Sequence, residues 1–409
     1  MDYQVFTLPN GIRLLYKPSE SSITHACIVI NAGSRDEPES KDGLAHFIEH
    51  LLFKRTERRS TRQILNYLED IGGDLNAYTT KEYTCIHASF LNPYLSRALD
   101  LFEDLVFHSA FPVKEIEKEK SVILDEIASY QDQPEEAIQD DFEDMLFAGH
   151  ALGRNILGTS ESVKGLHRED VFSFLSSCYN TEEIVIGVSG NYDFKKLTRV
   201  FSKYYNGIPH NRITLQRNAP QHKAETKRVE KAIAQTHCVL GNQAYSIHHP
   251  HKTGLLLLNN ILGGSGMSSV LNLTIREKYG IAYTIESNYT PLSDSGIFSI
   301  YFGTDAEKAE KALSLVNKQL KLLRENKMTD LTLERAKKKL NGLVALAEDN
   351  RLGVIIAMAK SLIDYNKVDS LNEVFEKVNN VTSVQLLEIA NEICSPAAMS
   401  TLMFEPEED

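Results

Sequence analysis

Residues 43–53 read GLAHFIEHLLF, two histidines and a glutamate set into a run that is otherwise apolar. On a helical wheel Leu44, Ala45, Phe47, Ile48, Leu51 and Leu52 gather on one side, and His46, Glu49 and His50 cluster opposite them with Phe53. Residues i and i+4 stand one turn apart, roughly 5–6 Å between Cβ atoms, so two imidazoles can converge on one ion. H-x-x-E-H inverts the order of H-E-x-x-H and offers the same chemistry. The same pattern also describes the solvated polar face of an ordinary amphipathic helix. A third ligand would weigh against that second reading.

A third ligand is available in KEIEKEKSVILDEIASYQDQ, residues 114–133. Ile116, Ile123, Ile127 and Tyr130 form the apolar stripe of a helix there, with Glu119 and Glu126 flanking it. Seven residues apart, the two carboxylates sit nearly above each other and turn partly toward buried surface, where an unpaired charge is costly. Glutamates snorkelling at the edge of a stripe are the alternative.

Outward from these helices, the chain alternates strand and helix patterns. It opens on a hairpin, YQVFTL and IRLLYK about Pro9-Asn10-Gly11. A strand follows at His25 to Asn31, then helical patterns at 42–55 and 60–71, a strand near 74–90, and helices at 94–107 and 113–131. TEEIVIGVSGNYDFKKLTRVF, beginning at Thr181, reads as strand, turn and helix. The pattern dissolves between about Gly207 and Lys231, which gives a linker at 213–230 between a domain at 1–212 and one at 231–409. The element order then repeats. Thr24-His25 is answered by Thr236-His237 (236 − 24 = 212) and RALDLFEDLV at 97 by KALSLVNKQL at 311 (311 − 97 = 214). The expected fold is α+β: two duplicated domains, each a mostly antiparallel sheet packed with helices.

Composition bounds the function. With 409 residues, 42% hydrophobic and 24% charged, the chain is globular and long enough for two to three cores. A formal charge of -12 argues against general nucleic-acid binding, which needs clustered Lys and Arg. Five scattered cysteines, never in a C-x-x-C pair, suit reduced thiols in a cytosol. MDYQVFTLPNGIRLLYK has no signal-peptide pattern, and no apolar run reaches membrane-spanning length. A cytoplasmic protein with no membrane partner is the expectation.

His46-Phe-Ile-Glu49-His50, followed by a helical glutamate 126 − 50 = 76 residues on, resembles the inverzincin, or pitrilysin-type (M16), zinc metallopeptidases. The branch of the mitochondrial processing peptidase β subunit and its bacterial relatives is the most similar. The resemblance covers nearly the whole chain. It implies one zinc per chain on His46, His50 and Glu126, with Glu49 activating the water and Glu119 orienting the site. Three protein ligands leave a fourth tetrahedral position open, the arrangement of catalytic zinc.

It further implies that GGDLNAYTTKEYT, residues 72–84, is an edge strand that holds the peptide by strand addition, with Asn76 and Ala77 in contact with it. By itself the stretch reads as a plain half-buried strand after a turn. In LGGSGMSSVLNLTIREKYGIAYTIES, residues 262–287, Arg276 and Tyr283 match the family's pair for the scissile carbonyl and oxyanion. Without the resemblance they are a surface and a core residue. The glycines there lack the Lys-Ser/Thr ending of a phosphate loop. The second half keeps no H-x-x-E-H. At this length the family pairs two chains into a clamshell around a chamber, each chain being one half. Because this chain has both the metal motif and the Arg/Tyr pair, a homodimer is expected, with a heterodimer as the other possibility. The implied function is a zinc endopeptidase for unfolded peptides. The alternative is a non-catalytic core or chaperone-like subunit of the same fold.

Overall fold

The computed structural model describes residues 3–407. By contact the chain divides into two compact units, Met1–Ala128 with Arg154–Gln216 and Ala347–Val368, and Ser129–Gly153 with Arg217–Leu346 and Asp369–Asp409.

The first unit is built on a six-stranded sheet. Its strands are β1 (Gln4–Thr7), β2 (Arg13–Pro18), β3 (Ile23–Ile30), β4 (Asp74–Thr79), β5 (Thr84–Leu91) and β6 (Ile184–Gly190), in the order β1-β2-β6-β3-β5-β4. β1 and β2 form the expected hairpin, with Gly11 at φ +90° in its turn. The stretch expected as one strand near 74–90 is two. The side chain of Thr80 accepts from the backbone N–H groups of Glu82 and Tyr83, and this turn reverses the chain between β4 and β5. Only Asp74–Thr79 of the expected edge strand lies at the border of the sheet.

Side chains alternate across each strand, so the sheet has two apolar faces. Leu14, Ala26, Ile28, Ile86 and Val188 pack with helices α1 (Leu44–Leu52), α2 (Thr61–Glu69), α3 (Leu95–Phe107) and α4 (Val113–Gln131). Leu15, Cys27, Val29, Cys85 and Val185 face the other way. They pack on Ile355, Met358, Ala359 and Leu362 of the helix Arg351–Tyr365, which comes from the second half of the sequence. Gly187 lets that helix lie close: a Cβ there would stand 2.8 Å from Cys27 Sγ and 2.9 Å from Ile355 Cγ1.

The second unit repeats the plan. Strands β7 (Thr226–Lys231), β8 (Thr236–Gln243), β9 (Ala282–Pro291), β10 (Gly296–Thr304) and β11 (Ser400–Pro406) take the order β7-β11-β8-β10-β9. This reproduces β2-β6-β3-β5-β4, including the parallel pairs β2/β6 and β7/β11 and the antiparallel neighbours of β3 and β8. One face packs on the helices Lys252–Gly263, Ala309–Glu325 and Ser383–Ile393. The other is covered by α5 (Pro134–Leu146), through Ala137, Ile138 and Phe142 against Val239, Tyr301, Leu402 and Phe404. Each unit thus covers one face of its sheet with a helix from the other half of the sequence. The fold is α+β, as expected. All five cysteines are buried as thiols outside any disulfide, and among the described residues no helix is long and apolar enough to cross a membrane.

Candidate metal centre

Helix α1 is fixed from both ends before any site chemistry is considered. Leu44, Ala45, Phe47, Ile48, Leu51 and Leu52 are each at most 2% exposed, which sets the rotation of the helix about its axis. At its start Gly43 adopts φ +88°, and a Cβ there would meet the Leu157 carbonyl oxygen at 2.5 Å. The buried Glu37 carboxyl accepts from the backbone N–H of Gly43 at 3.0 Å and of Ala45 at 2.8 Å, satisfying donors that the helix itself cannot. Burial pushes the Glu37 carboxyl up to about 8, and these N–H groups and Arg154 only partly offset it. Beyond the helix, the loop is anchored on α3. Arg58 pairs with Glu103 and, at 2.7 Å, Asp104, while Arg59 pairs with Asp100 and Asp104.

So held, α1 presents His46, Glu49 and His50 together. The imidazole centroids are 4.5 Å apart. Glu126 of α4 faces both rings, with Oε1 at 3.8 Å from His46 Nε2 and Oε2 at 3.6 Å from His50 Nε2. One donor atom from each of the three residues lies within 4.8 Å of the others, and among the described residues this is the one His/Cys/Asp/Glu group so arranged. Donors about 2.0–2.1 Å from a tetrahedral ion stand roughly 3.4 Å apart, so two imidazole nitrogens and a carboxylate at these separations fit zinc with little movement.

The surroundings act on the two imidazoles in opposite directions. Burial and the neighbouring His50 push His46 down to about 4. Burial also acts to lower His50, but its bond to Glu119 and the charges of Glu126, Glu119 and Glu49 raise it overall. Glu119, one turn pair before Glu126 and 2% exposed, takes His50 Nδ1 at 3.0 Å. That leaves His50 Nε2 turned to Glu126, the arrangement by which an outer carboxylate orients a metal-binding histidine. Although burial acts to raise Glu119, its bonds to His50 and Lys54 hold it below the ordinary carboxylate range.

Glu49 lies beside the two histidines, its carboxyl raised by burial and drawn back down in part by a 2.6 Å hydrogen bond from Thr79 Oγ1. Thr79 ends β4. On the same strand Asn76 is exposed and Ala77 half-buried, and Asn76 Oδ1 accepts from the Ala77 N–H at 2.8 Å. Leu75 and Ala77 pack toward the helices of the first unit, whereas Tyr78 packs on the opposite face. The first unit therefore gathers His46, His50, Glu126, Glu49 and Glu119 at helix α1, and Asn76 and Ala77 lie on the edge strand whose last residue, Thr79, reaches Glu49.

Arg276 and Tyr283 belong to the second unit. Arg276 is exposed on a π-helical turn, Asn272–Glu277, and Tyr283 is 55% exposed on the edge strand β9. The Tyr283 hydroxyl donates to Asp305 Oδ1 at 2.8 Å. Tyr283 is thus a surface residue, which corrects the core position that the plain reading of its sequence gives it.

Three residues of this arrangement went unread in the sequence: Glu37, Lys54 and Thr79. Glu37 had a signal, an acidic group shortly before a helix start. Lys54 stands four residues after His50, and Thr79 closes an alternating run, but neither spacing names its partner.

Comparison with known proteins places this geometry in context. The family described as Insulinase (Peptidase family M16) matches residues 13–160, and the one described as Peptidase M16 inactive domain matches residues 165–340. Relatives include the uncharacterized zinc protease YmxG of Bacillus subtilis, 30% identical with 95% of each chain covered. An uncharacterized zinc protease of Rickettsia bellii is 30% identical over 98% of this chain and 97% of its own. Among solved structures, the peptidase M16 inactive domain from Pseudomonas fluorescens superposes with a TM-score of 0.90 at 21% identity, covering 100% of this chain and 98% of that one. A protease from Helicobacter pylori gives 0.89 at 20% identity, covering 99% of both. At these identities the two structures speak for the fold.

Proposed function

Because the chain belongs to peptidase family M16, we propose that it is a zinc-dependent endopeptidase hydrolysing unfolded peptides. Zinc is the cofactor that the family and the relatives named as zinc proteases imply. One ion per chain, held by His46, His50 and Glu126, is our reading. The observation that carries it is the convergence of those three donors, one of each within 4.8 Å of the others, with the Glu49 carboxylate on the same helix as the two histidines. When bound, zinc supplies a Lewis acid that polarises a carbonyl and acidifies water.

The chain's own residues do the rest. Glu49 is the general base, taking a proton from the attacking water and passing it to the leaving amine. Burial supports this role by raising its carboxyl toward working pH. Glu119 orients His50. The peptide adds as a strand along β4, which lies at the end of its sheet, with Asn76 and Ala77 in contact with its backbone. Arg276 and Tyr283 supply a cation and a phenol donor to the oxyanion. In this reading they come from a second copy of the chain, in a homodimeric clamshell whose chamber excludes folded proteins. That both sets of residues occur in one chain supports a homodimer over a heterodimer.

The deciding experiment is Glu49→Gln. The variant is expected to keep one zinc per chain and lose turnover of a mixed peptide pool, read by mass spectrometry with and without chelator. Wild-type cleavage rates in Glu49→Gln remove the base assignment. Stoichiometric zinc with no turnover in the wild type favours the non-catalytic subunit.

A further inference from the structure

Glu119 has a second partner that the proposed chemistry does not use. Lys54 Nζ stands 2.7 Å from Glu119 Oε2, while Oε1 of the same carboxylate holds His50 Nδ1 at 3.0 Å. The Glu119 side chain is 3% exposed and that of Lys54 25%. A carboxylate so buried is strongly disfavoured without a compensating cation. The Lys54 ammonium supplies that cation, paired with Oε2 at 2.7 Å.

Lys54 is also fixed in place. It lies just past the end of α1, where its N–H donates to the Leu51 carbonyl at 3.1 Å and its own carbonyl accepts from the Thr61 hydroxyl. A cation there is favoured by the C-terminal end of the helix dipole. Its ammonium group is therefore delivered to one oxygen of Glu119 and leaves the other for His50. Against Glu49, Glu119 and Glu126 crowded around two imidazoles, it also supplies positive charge.

We propose that Lys54 is a positioning residue for His50. By drawing Oε2 of Glu119 to itself, it makes Oε1 the acceptor for Nδ1–H of His50, so the ring's lone pair is carried by Nε2, which faces Glu126. Lys54 touches neither substrate nor reacting atoms. The inference rests on the zinc reading above, because its effect is exerted on a proposed ligand.

The test is zinc affinity, measured by competition with a chromophoric chelator on metal-stripped protein at fixed pH. Lys54→Met is expected to bind zinc about 10- to 100-fold more weakly, the usual cost of losing an outer-shell partner. Its KM for a peptide that is still cleaved should stay unchanged, and Lys54→Arg should recover most of the affinity. In a Glu119→Gln background, Lys54→Met should produce no further loss, because its route to the metal is already cut. Unaltered zinc affinity in Lys54→Met overturns the proposal, and so does an equal loss in the two backgrounds. Circular dichroism checks folding; should Lys54→Met fail it, Lys54→Gln carries the same comparison. His46→Ala separates the two levels of inference. If the wild type binds zinc and His46→Ala does not, a null Lys54 result removes this inference alone. If the wild type binds none, both fall.

Discussion

The hydroxyl of Thr79 donates to Oε2 of Glu49 at 2.6 Å, so the carboxylate on α1 is tied to the last residue of the edge strand β4. This hydrogen bond favours the ionised carboxylate, in opposition to burial. Removing it in Thr79→Val therefore raises the Glu49 carboxyl further. A base must be deprotonated to act, so the acid limb of kcat/KM should move to higher pH. A hydrogen bond to a charged group contributes about 1.5–3 kcal/mol, so at a given pH on the acid limb the loss should be about tenfold or more. Thr79→Ser should restore the profile. An unshifted acid limb in Thr79→Val removes the link.

Zinc binding should depend on pH through His50 more than through His46. His46 is already held at about 4 by burial and its neighbour, so it is neutral throughout the working range. His50 is raised by Glu119 and the other carboxylates, so protons compete for it first as pH falls. Glu119→Gln removes a raising influence. Chelator competition from pH 5.5 to 8 should then show two opposed effects: weaker binding on the alkaline plateau, about 10- to 100-fold, and an acid limb displaced to lower pH.

Glu37 makes stability fall as pH rises. Its carboxyl moves from 4.5 to about 8 on folding. Between those values the folded chain keeps a proton that the unfolded chain has lost, so the group's contribution is complete below 4.5 and is lost as pH climbs toward 8. The thermal midpoint of metal-free protein should decline over that window, and Glu37→Gln should flatten the decline. The substitution itself should cost about 1–3 kcal/mol by disturbing the acceptors of the Gly43 and Ala45 N–H groups. Identical pH slopes in the two proteins would count against this account.

The proposed sharing of a site between two copies of the chain has a complementation test. Glu49→Gln and Arg276→Ala are each expected to be inactive alone. After verified subunit exchange, mixed dimers contain one complete site and should recover up to about a quarter of wild-type activity, from statistical assortment with one competent site of two. No recovery means that the Arg276 needed by a site is not supplied by the second chain.

Much of this centre was legible because its chemistry is local. His46, Glu49 and His50 share a helix face by spacing alone, and the seven-residue interval sets Glu119 beside Glu126 on α4. Both sets depend only on helical periodicity, and the structure brings them together. What escaped depends on turns. The reversal at Thr80–Tyr83 breaks the run at 74–90 into two strands and carries Thr79 to Glu49. The bend after Leu52 returns Lys54 to Glu119. Such directions come from side chains bonding to nearby backbone, which a periodicity count does not register. The duplication was visible in short echoes such as Thr24-His25 and Thr236-His237, and the five strands of the second sheet follow the order of β2 to β4 in the first, β1 alone having no counterpart. The exchange of covering helices was not visible, since an amphipathic helix looks the same whichever sheet it covers.

That exchange also governs synthesis. Leu15, Cys27, Val29 and Val185 emerge from the ribosome early, yet the helix that shelters them, Arg351–Tyr365, is made long afterwards. For most of translation the nascent amino-terminal sheet has one oily side bare, a surface that invites aggregation or a chaperone. Cutting the gene in two at the irregular stretch before Thr226 would leave each fragment missing its shelter, so the two should accumulate as sound protein only when produced together.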